Sequence, residues 1–202
     1  MMIEDLERLG SPDYDEYLTH QASNTEIPQD ILDYYETRYY LELGQRLQRF
    51  GNVRPGMSVL CLAARLGAEV KAFINHGCFA VGLDLNPGEG NRYVVHGDFH
   101  RLQYANDSVD VVFTNSVDHV FNLGIFIGEI LRVLKPDGLL IMDIVKGRDD
   151  GVEPDQYASL WWGGIDDLLA VFLAGRIEPF DLIHRSDFEW PWAGQHVILK
   201  RR

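Results

Sequence analysis

The stretch from Ser58 to Phe99 constrains the fold of this chain more than any other. Ser58–Ala63 (SVLCLA) is a short apolar run, and Arg65-Leu66-Gly67 turns the chain. Leu66, Val70, Phe73 and Ile74 then recur at i, i+4, i+7 and i+8, the spacing of one helix face. Gly77 suits the residue that closes a helix. Phe79–Leu83 (FAVGL) reads as a second buried strand with Asp84 at its tip. Tyr93–His96 reads as a third, followed by Gly97-Asp98-Phe99.

A strand-turn-helix-strand unit with a carboxylate after its second strand is the Rossmann-like arrangement for a nucleotide. The turn lets backbone come close to the ligand, and the acid accepts hydrogen bonds from ribose hydroxyls. The rest of the chain continues the alternation. Asp110–Asn115 (DVVFTN) predicts a fourth strand and Ile125–Leu134 a helix, with Phe126, Ile130 and Leu134 on one face and Glu129 and Arg132 on the other. Lys135-Pro136-Asp137-Gly138 predicts a tight turn before a fifth strand, Leu139–Ile144 (LLIMDI). Lys146–Asp155 reads as a Gly- and Asp-rich solvated loop. Tyr157, Trp161, Ile165, Leu168, Leu169 and Phe172 fit a further helix face, and Phe180–Ile183 and His196–Lys200 read as two last strands. Strands alternating with helices imply an α/β protein with a mostly parallel sheet covered on both faces.

Residues 1–50 read as a helical cover without strand signal, broken at Ser11-Pro12-Asp13 and Ser23-Asn24-Thr25. Ile31, Tyr35, Tyr39, Leu43 and Leu47 repeat every four residues and predict a stripe packed on the sheet. Tyr14, Tyr17, His20 and Gln21 either close over a ligand or simply cover the sheet. Residues 51–202 then form the main domain, and the whole reads as a single compact unit.

The chain has 202 residues, enough for one α/β domain, and no apolar run nears the ~20 residues of a membrane span. The start, MMIEDLERLG, lacks a basic segment followed by an apolar core, so no signal peptide and a cytoplasmic protein are expected. Cys61 and Cys78 in apolar settings predict reduced, buried thiols. A net charge of −13 repels phosphate backbones, which makes nucleic acid a poor partner, and no membrane partner is expected.

The downstream motifs carry a resemblance. Gly97-Asp98-Phe99, then Asp107-Ser108-Val109-Asp110-Val111-Val112, then Glu129-Ile130-Leu131-Arg132-Val133-Leu134-Lys135-Pro136-Asp137-Gly138 resemble the "GD…L.F.D.S.D.V……E..RVLKPGG" pattern of class I S-adenosylmethionine-dependent methyltransferases of the small-molecule type. The similarity covers residues 58–145. It implies a Rossmann-like three-layer sandwich, with a seven-stranded, mostly parallel sheet whose last strand is antiparallel. It implies S-adenosylmethionine as cofactor and a small molecule or glycan-type metabolite as methyl acceptor. By the same resemblance Asp84, with Leu85 beside it, holds the ribose hydroxyls. Asp98 reads the adenine amino group between Gly97 and Phe99, and Phe99 borders the ring. Asn115 and Ser116 lie beside the methionine moiety.

The first loop departs from the family's acid-x-Gly-x-Gly-x-Gly. It reads Cys61-Leu62-Ala63-Ala64-Arg65-Leu66-Gly67. Cys61 stands where the acid is expected, and Ala63 and Arg65 replace two glycines. Ala63 is a mild change if its φ is negative. Ala63, Ala64, Arg65 and Gly67 remain the residues expected against the methionine end, and the Arg65 guanidinium suits the cofactor's carboxylate.

Asp118-His119, just after the fourth strand, is the pair best placed for proton transfer, since imidazole titrates near neutrality. The alternative is that His119 packs or caps the loop. His96, Asp98 and His100 invite a metal reading, but Asp98 already has a role, and no metal is expected. Trp161, Trp162, Trp190 and Trp192 either wall an acceptor pocket or fill the core. Two other functions fit parts of the pattern. A non-catalytic binding or regulatory protein would explain the unusual first loop. A nicotinamide-dependent oxidoreductase shares the early strand-turn-helix-acid unit but not the later motifs.

Overall fold

The structure, a computed structural model, describes residues 6–23, 29–173 and 179–202. In chain order the elements are strand β1 (Leu6–Arg8), helices α1 (Tyr14–Ala22) and α2 (Gln29–Phe50), β2 (Ser58–Leu62), α3 (Ala68–Asn75), β3 (Phe79–Asp84), β4 (Val94–His96) and β5 (Val109–Thr114). Then follow α4 (Leu123–Val133), β6 (Leu134–Val145), β7 (Leu160–Trp162), α5 (Ile165–Leu173), β8 (Phe180–Phe188) and β9 (Gly194–Arg201).

The main sheet has seven strands in the order β4-β3-β2-β5-β6-β9-β8. The first five are parallel, and β9 runs antiparallel to both β6 and β8. The strands are short apolar runs because both faces are buried. Alternation divides each run: Val59 and Cys61 pack with α2 and α3, whereas Leu60 and Leu62 pack with α4 and α5. This is the expected three-layer sandwich. On α2, Tyr39, Leu43 and Leu47 are buried as the four-residue repeat predicts; the Ile31 side chain lies outside the described residues.

The residues that make the sequence recognisable do structural work. Glu129 accepts a hydrogen bond from Leu102 N and pairs side-on with Arg132. Arg132 in turn donates to the carbonyls of Leu102 and Tyr104. Together they clamp the polar connection after Asp98 onto α4. Lys135–Gly138 loop out of the β5–β6 ladder, whose register jumps from Val109↔Leu134 to Val111↔Leu139, with Asp137 at φ +63.

Several local expectations are corrected. Residues 1–50 do contain a strand: β1 pairs antiparallel with β7, Leu6 opposite Trp162. Consequently Tyr157 and Trp161 are not helical, and the helix begins only at Ile165. A three-residue strand paired some 150 positions away has no periodicity of its own to reveal it. Ile74 is 44% exposed. The α3 face is completed instead by Glu69 and Ala72, because the helix starts at Ala68 rather than at Leu66. Both cysteines are buried and free, as expected.

Candidate active site

A cleft of about 770 Å³ opens over the carboxyl ends of β2, β5 and β6. Ligands of open α/β sheets bind at this edge, where strand-end loops diverge. Ala63 and Arg65 come from the loop after β2, Asn115 and Ser116 from the end of β5, and Asp118 and His119 from the turn that follows. Tyr35 and Glu36 of α2, with Tyr157, Trp161 and Trp192, form the opposite walls.

The loop after β2 is held in a strained shape. Ala63 has φ +53, Arg65 φ +43 and Gly67 φ +91. Ala63 therefore does not have the negative φ that would make it a mild replacement for glycine. At Gly67 even a Cβ would lie 3.0 Å from the Cβ of Tyr93. Asp84 orders the loop: its Oδ2 accepts from Arg65 N at 2.8 Å and its Oδ1 from Asn86 N at 2.7 Å.

Behind the loop, Glu69 in the first turn of α3 is only 4% exposed and lines the cleft. One oxygen accepts from Asn115 Nδ2 at 3.0 Å; the other has no partner. Burial, with Glu36 nearby, pushes its carboxyl up to about 8. Asn115 Nδ2 also donates to the Tyr35 hydroxyl at 3.2 Å, so α2, α3 and β5 meet here. Glu69 belongs to none of the sequence motifs that resemble the family.

The second half of the cleft is organised by His119. Its Nδ1 faces Gln21 Oε1 at 3.0 Å, and its Nε2 lies 3.7 Å from Asp118 Oδ2. An amide oxygen can only accept, so Nδ1 donates to Gln21 and Nε2 is the nitrogen left to exchange a proton in the cleft. Burial raises the Asp118 carboxyl; His119 counters this in part, and Asp155 adds to it. Trp161, 2% exposed, and Trp192 both leave an indole N–H without an acceptor. Trp162 instead donates to the Val145 carbonyl and belongs to the core.

Leu85 lies partly buried just past the end of β3, and Gly97, Asp98 and Phe99 follow β4 at the sheet edge. With Asp84 they stand beside this cleft rather than in its lining. Helix α1 lies over them. The Tyr14 hydroxyl donates to Asp98 Oδ2 at 2.5 Å, and His100 N donates to Asp98 Oδ1 at 2.8 Å. Asn86 Nδ2 reaches the Ala22 carbonyl, and Tyr17 donates to the His119 carbonyl. The aromatic residues of α1 thus roof both halves of the strand-end groove. His100 uses both ring nitrogens, Nδ1 toward Asp98 and Nε2 as acceptor for Asn122 N.

Residues 60–142 match the family model of a methyltransferase domain. This chain shares that domain and the fold of class I S-adenosylmethionine-dependent methyltransferases. It is accordingly an S-adenosylmethionine-dependent enzyme. The methyltransferase has no match among curated proteins by sequence. Its fold is shared widely. A Burkholderia thailandensis 1,6-didemethyltoxoflavin-N1-methyltransferase, solved with 1,6-didemethyltoxoflavin and S-adenosylhomocysteine, aligns with a TM-score of 0.73 at 18% identity, over 97% of this chain and 94% of that one. A Pyrococcus horikoshii OT3 protein aligns with a TM-score of 0.63 at 20% identity, over 96% and 100%. An Aquifex aeolicus SAM-dependent methyltransferase gives 0.59 at 13%, over 79% and 89%. No described helix of the methyltransferase is long and apolar enough to cross a membrane.

The side chains present fit the cofactor. A carboxylate ends β3, and the cleft lining holds both Arg65 and Glu69, whose buried Oε2 has no hydrogen-bond partner among the described residues, a pairing that suits a zwitterionic methionine end.

Proposed function

We propose that this methyltransferase acts on a small molecule, held between His119 and the Trp161–Trp192 wall. The observation that carries this reading is the continuity of the cleft. One cavity runs from the loop after β2 to Trp161 and Trp192, whose buried indole N–H groups have no acceptor among the described residues. Its volume lies within the range of small-molecule sites, roughly 300–1,000 Å³. Buried donors without partners cost free energy, which an acceptor molecule offering carbonyl or ring-nitrogen lone pairs relieves. The Burkholderia neighbour is a 1,6-didemethyltoxoflavin-N1-methyltransferase, which supports a small-molecule acceptor here.

Bound S-adenosylmethionine supplies a methyl made electrophilic by its sulfonium. The chain's own residues position and neutralise. Asp84 and Leu85, with Gly97, Asp98 and Phe99, hold the adenosine under the α1 roof. Asp98 can do so while bonded to Tyr14, because a carboxylate oxygen accepts more than one hydrogen bond. Ala63, Ala64, Arg65 and Gly67, with Asn115 and Ser116, hold the methionine end. His119 Nε2 accepts the proton that an acceptor N–H or O–H must lose, and the resulting imidazolium is stabilised by Asp118. Alignment of nucleophile and methyl supplies most of the rate.

The test uses methyl-labelled cofactor with fractionated cell extract. Label should enter the low-molecular-weight fraction, and His119→Ala should slow its entry without weakening S-adenosylhomocysteine binding. Label recovered instead in acid-precipitated protein or nucleic acid would overturn the reading.

A further inference from the structure

We infer that the Glu69 carboxylate receives the α-ammonium group of the cofactor's methionine end. This rests on the cofactor assignment and not on the identity of the methyl acceptor.

Glu69 is 4% exposed, and one of its oxygens has no hydrogen-bond partner. Its one side-chain partner is the Asn115 amide at 3.0 Å, a neutral donor. Glu36, the acid beside it, also has an oxygen without a hydrogen bond, but Lys71 Nζ lies 3.7 Å from that oxygen and Ala68 N donates to the carboxylate. A buried carboxylate without a cation is costly. Here the cost shows as a carboxyl held protonated, pushed up to about 8 by burial and by Glu36. A bound cation would remove that penalty.

The position says which cation. Along the sheet edge, strands lie in the order β4, β3, β2, β5. An adenosine held at the end of β3 by Asp84 places its 5′ extension across β2 and toward β5. That is where the cleft contains Arg65, Glu69 and Asn115. The extension ends in an α-amino acid, one ammonium and one carboxylate. Arg65 offers a guanidinium for the carboxylate, and Glu69 offers an oxygen for the ammonium. Position 61, where the family pattern expects an acid, holds a fully buried Cys whose thiol is pushed up by burial, with Glu69 adding to the shift whenever it is ionised. Glu69 and position 61 are therefore close neighbours, and a carboxylate at both would repel. The acid has moved from the strand end to the facing helix turn.

The test compares three ligands by calorimetry on the full chain: S-adenosylhomocysteine, its deamino analogue that keeps the carboxylate, and 5′-methylthioadenosine. Glu69→Gln is nearly isosteric and keeps the Asn115 contact. It should weaken S-adenosylhomocysteine at least tenfold and leave the other two unchanged. Unchanged 5′-methylthioadenosine binding also reports that the variant is folded. An equal loss for all three ligands, or no loss for S-adenosylhomocysteine, would overturn the assignment.

Discussion

Helix α2 runs past two buried carboxylates that are treated differently. At Asp143 on β6, Tyr39 and Arg46 of α2 donate to Oδ2 at 2.5 and 2.7 Å, and His196 of β9 contacts Oδ1 at 2.6 Å. Burial alone would raise this carboxyl, but His196 and Arg46 outweigh it and hold it below the usual carboxylate range. About one turn before Tyr39 on the same helix, Tyr35 and Glu36 stand by Glu69. There the only side-chain donor among the described residues is an amide, and the carboxyl is pushed up to about 8, first by burial and then by Glu36. A saturated acid fastens elements together; an acid left short of donors is prepared for something that arrives later. The strand-end cleft lies on the second acid and not on the first.

The sharpest way to break this comparison is to remove each acid in turn. Asp143→Ala strands Arg46 and His196 in the interior and should cost about 3–5 kcal/mol of stability. Glu69→Gln spares the proton uptake that the folded wild type needs at pH 7 and should raise stability. Urea unfolding of the two variants checks both. Similar losses would mean that Glu69 also fastens the fold.

The pH dependence of stability separates the two acids again. An acid whose folded value is raised binds its proton in the folded state while the unfolded chain has already released it. Stability then falls as pH rises, from the unfolded value of 4.5 until the folded value of about 8 is passed. The groups facing Glu69 are Glu36 and Tyr35 from α2, Asn115 from β5, Cys61 from β2 and Arg65 from the loop. Between about pH 6 and pH 8, wild type should lose roughly 2 kcal/mol relative to Glu69→Gln, from ~1.4 kcal/mol per pH unit. Asp143 has the opposite sign. Its lowered value stabilises the fold above pH 3.8, and that stability is lost as pH falls through the folded value. Parallel stability curves for wild type and Glu69→Gln would contradict the raised carboxyl.

The same contrast explains what the sequence made legible. The inner parallel strands β2, β5 and β6 announce themselves because each holds an apolar run, and burial on both faces leaves no other composition. Glu129 and Arg132 are conspicuous as letters, yet they clamp a loop and touch nothing in the cleft. Glu69 was missed because an acid in the first turn of a helix reads as a favourable helix-dipole charge facing solvent. The available signal was its place four residues before Phe73, on the buried stripe, where a charge needs a reason. The β1–β7 pair and the Tyr14–Asp98 contact join segments 84 or more residues apart, and local patterning carries no trace of such pairings.

The smallest expected effect concerns the loop that Glu69 sits behind. Ala63 and Arg65 both occupy the left-handed region, at φ +53 and +43, where a side chain costs about 1–2 kcal/mol. Glycine removes that cost but loses roughly 0.5–1 kcal/mol through the greater freedom of the unfolded chain. Ala63→Gly and Arg65→Gly should therefore each raise stability by no more than about 1 kcal/mol, a shift of a few degrees in a thermal melt. Their effects on the cofactor should differ. Ala63 contributes no charge, so Ala63→Gly should leave S-adenosylhomocysteine affinity as it is. Arg65→Gly removes the guanidinium proposed for the cofactor's carboxylate and should weaken S-adenosylhomocysteine by about 1.5–3 kcal/mol, the range for hydrogen bonds to charged groups. 5′-Methylthioadenosine lacks the carboxylate and should bind either variant like wild type. If Arg65→Gly gains stability and keeps S-adenosylhomocysteine, the strain at position 65 has no binding role, and Glu69 alone reads the methionine end.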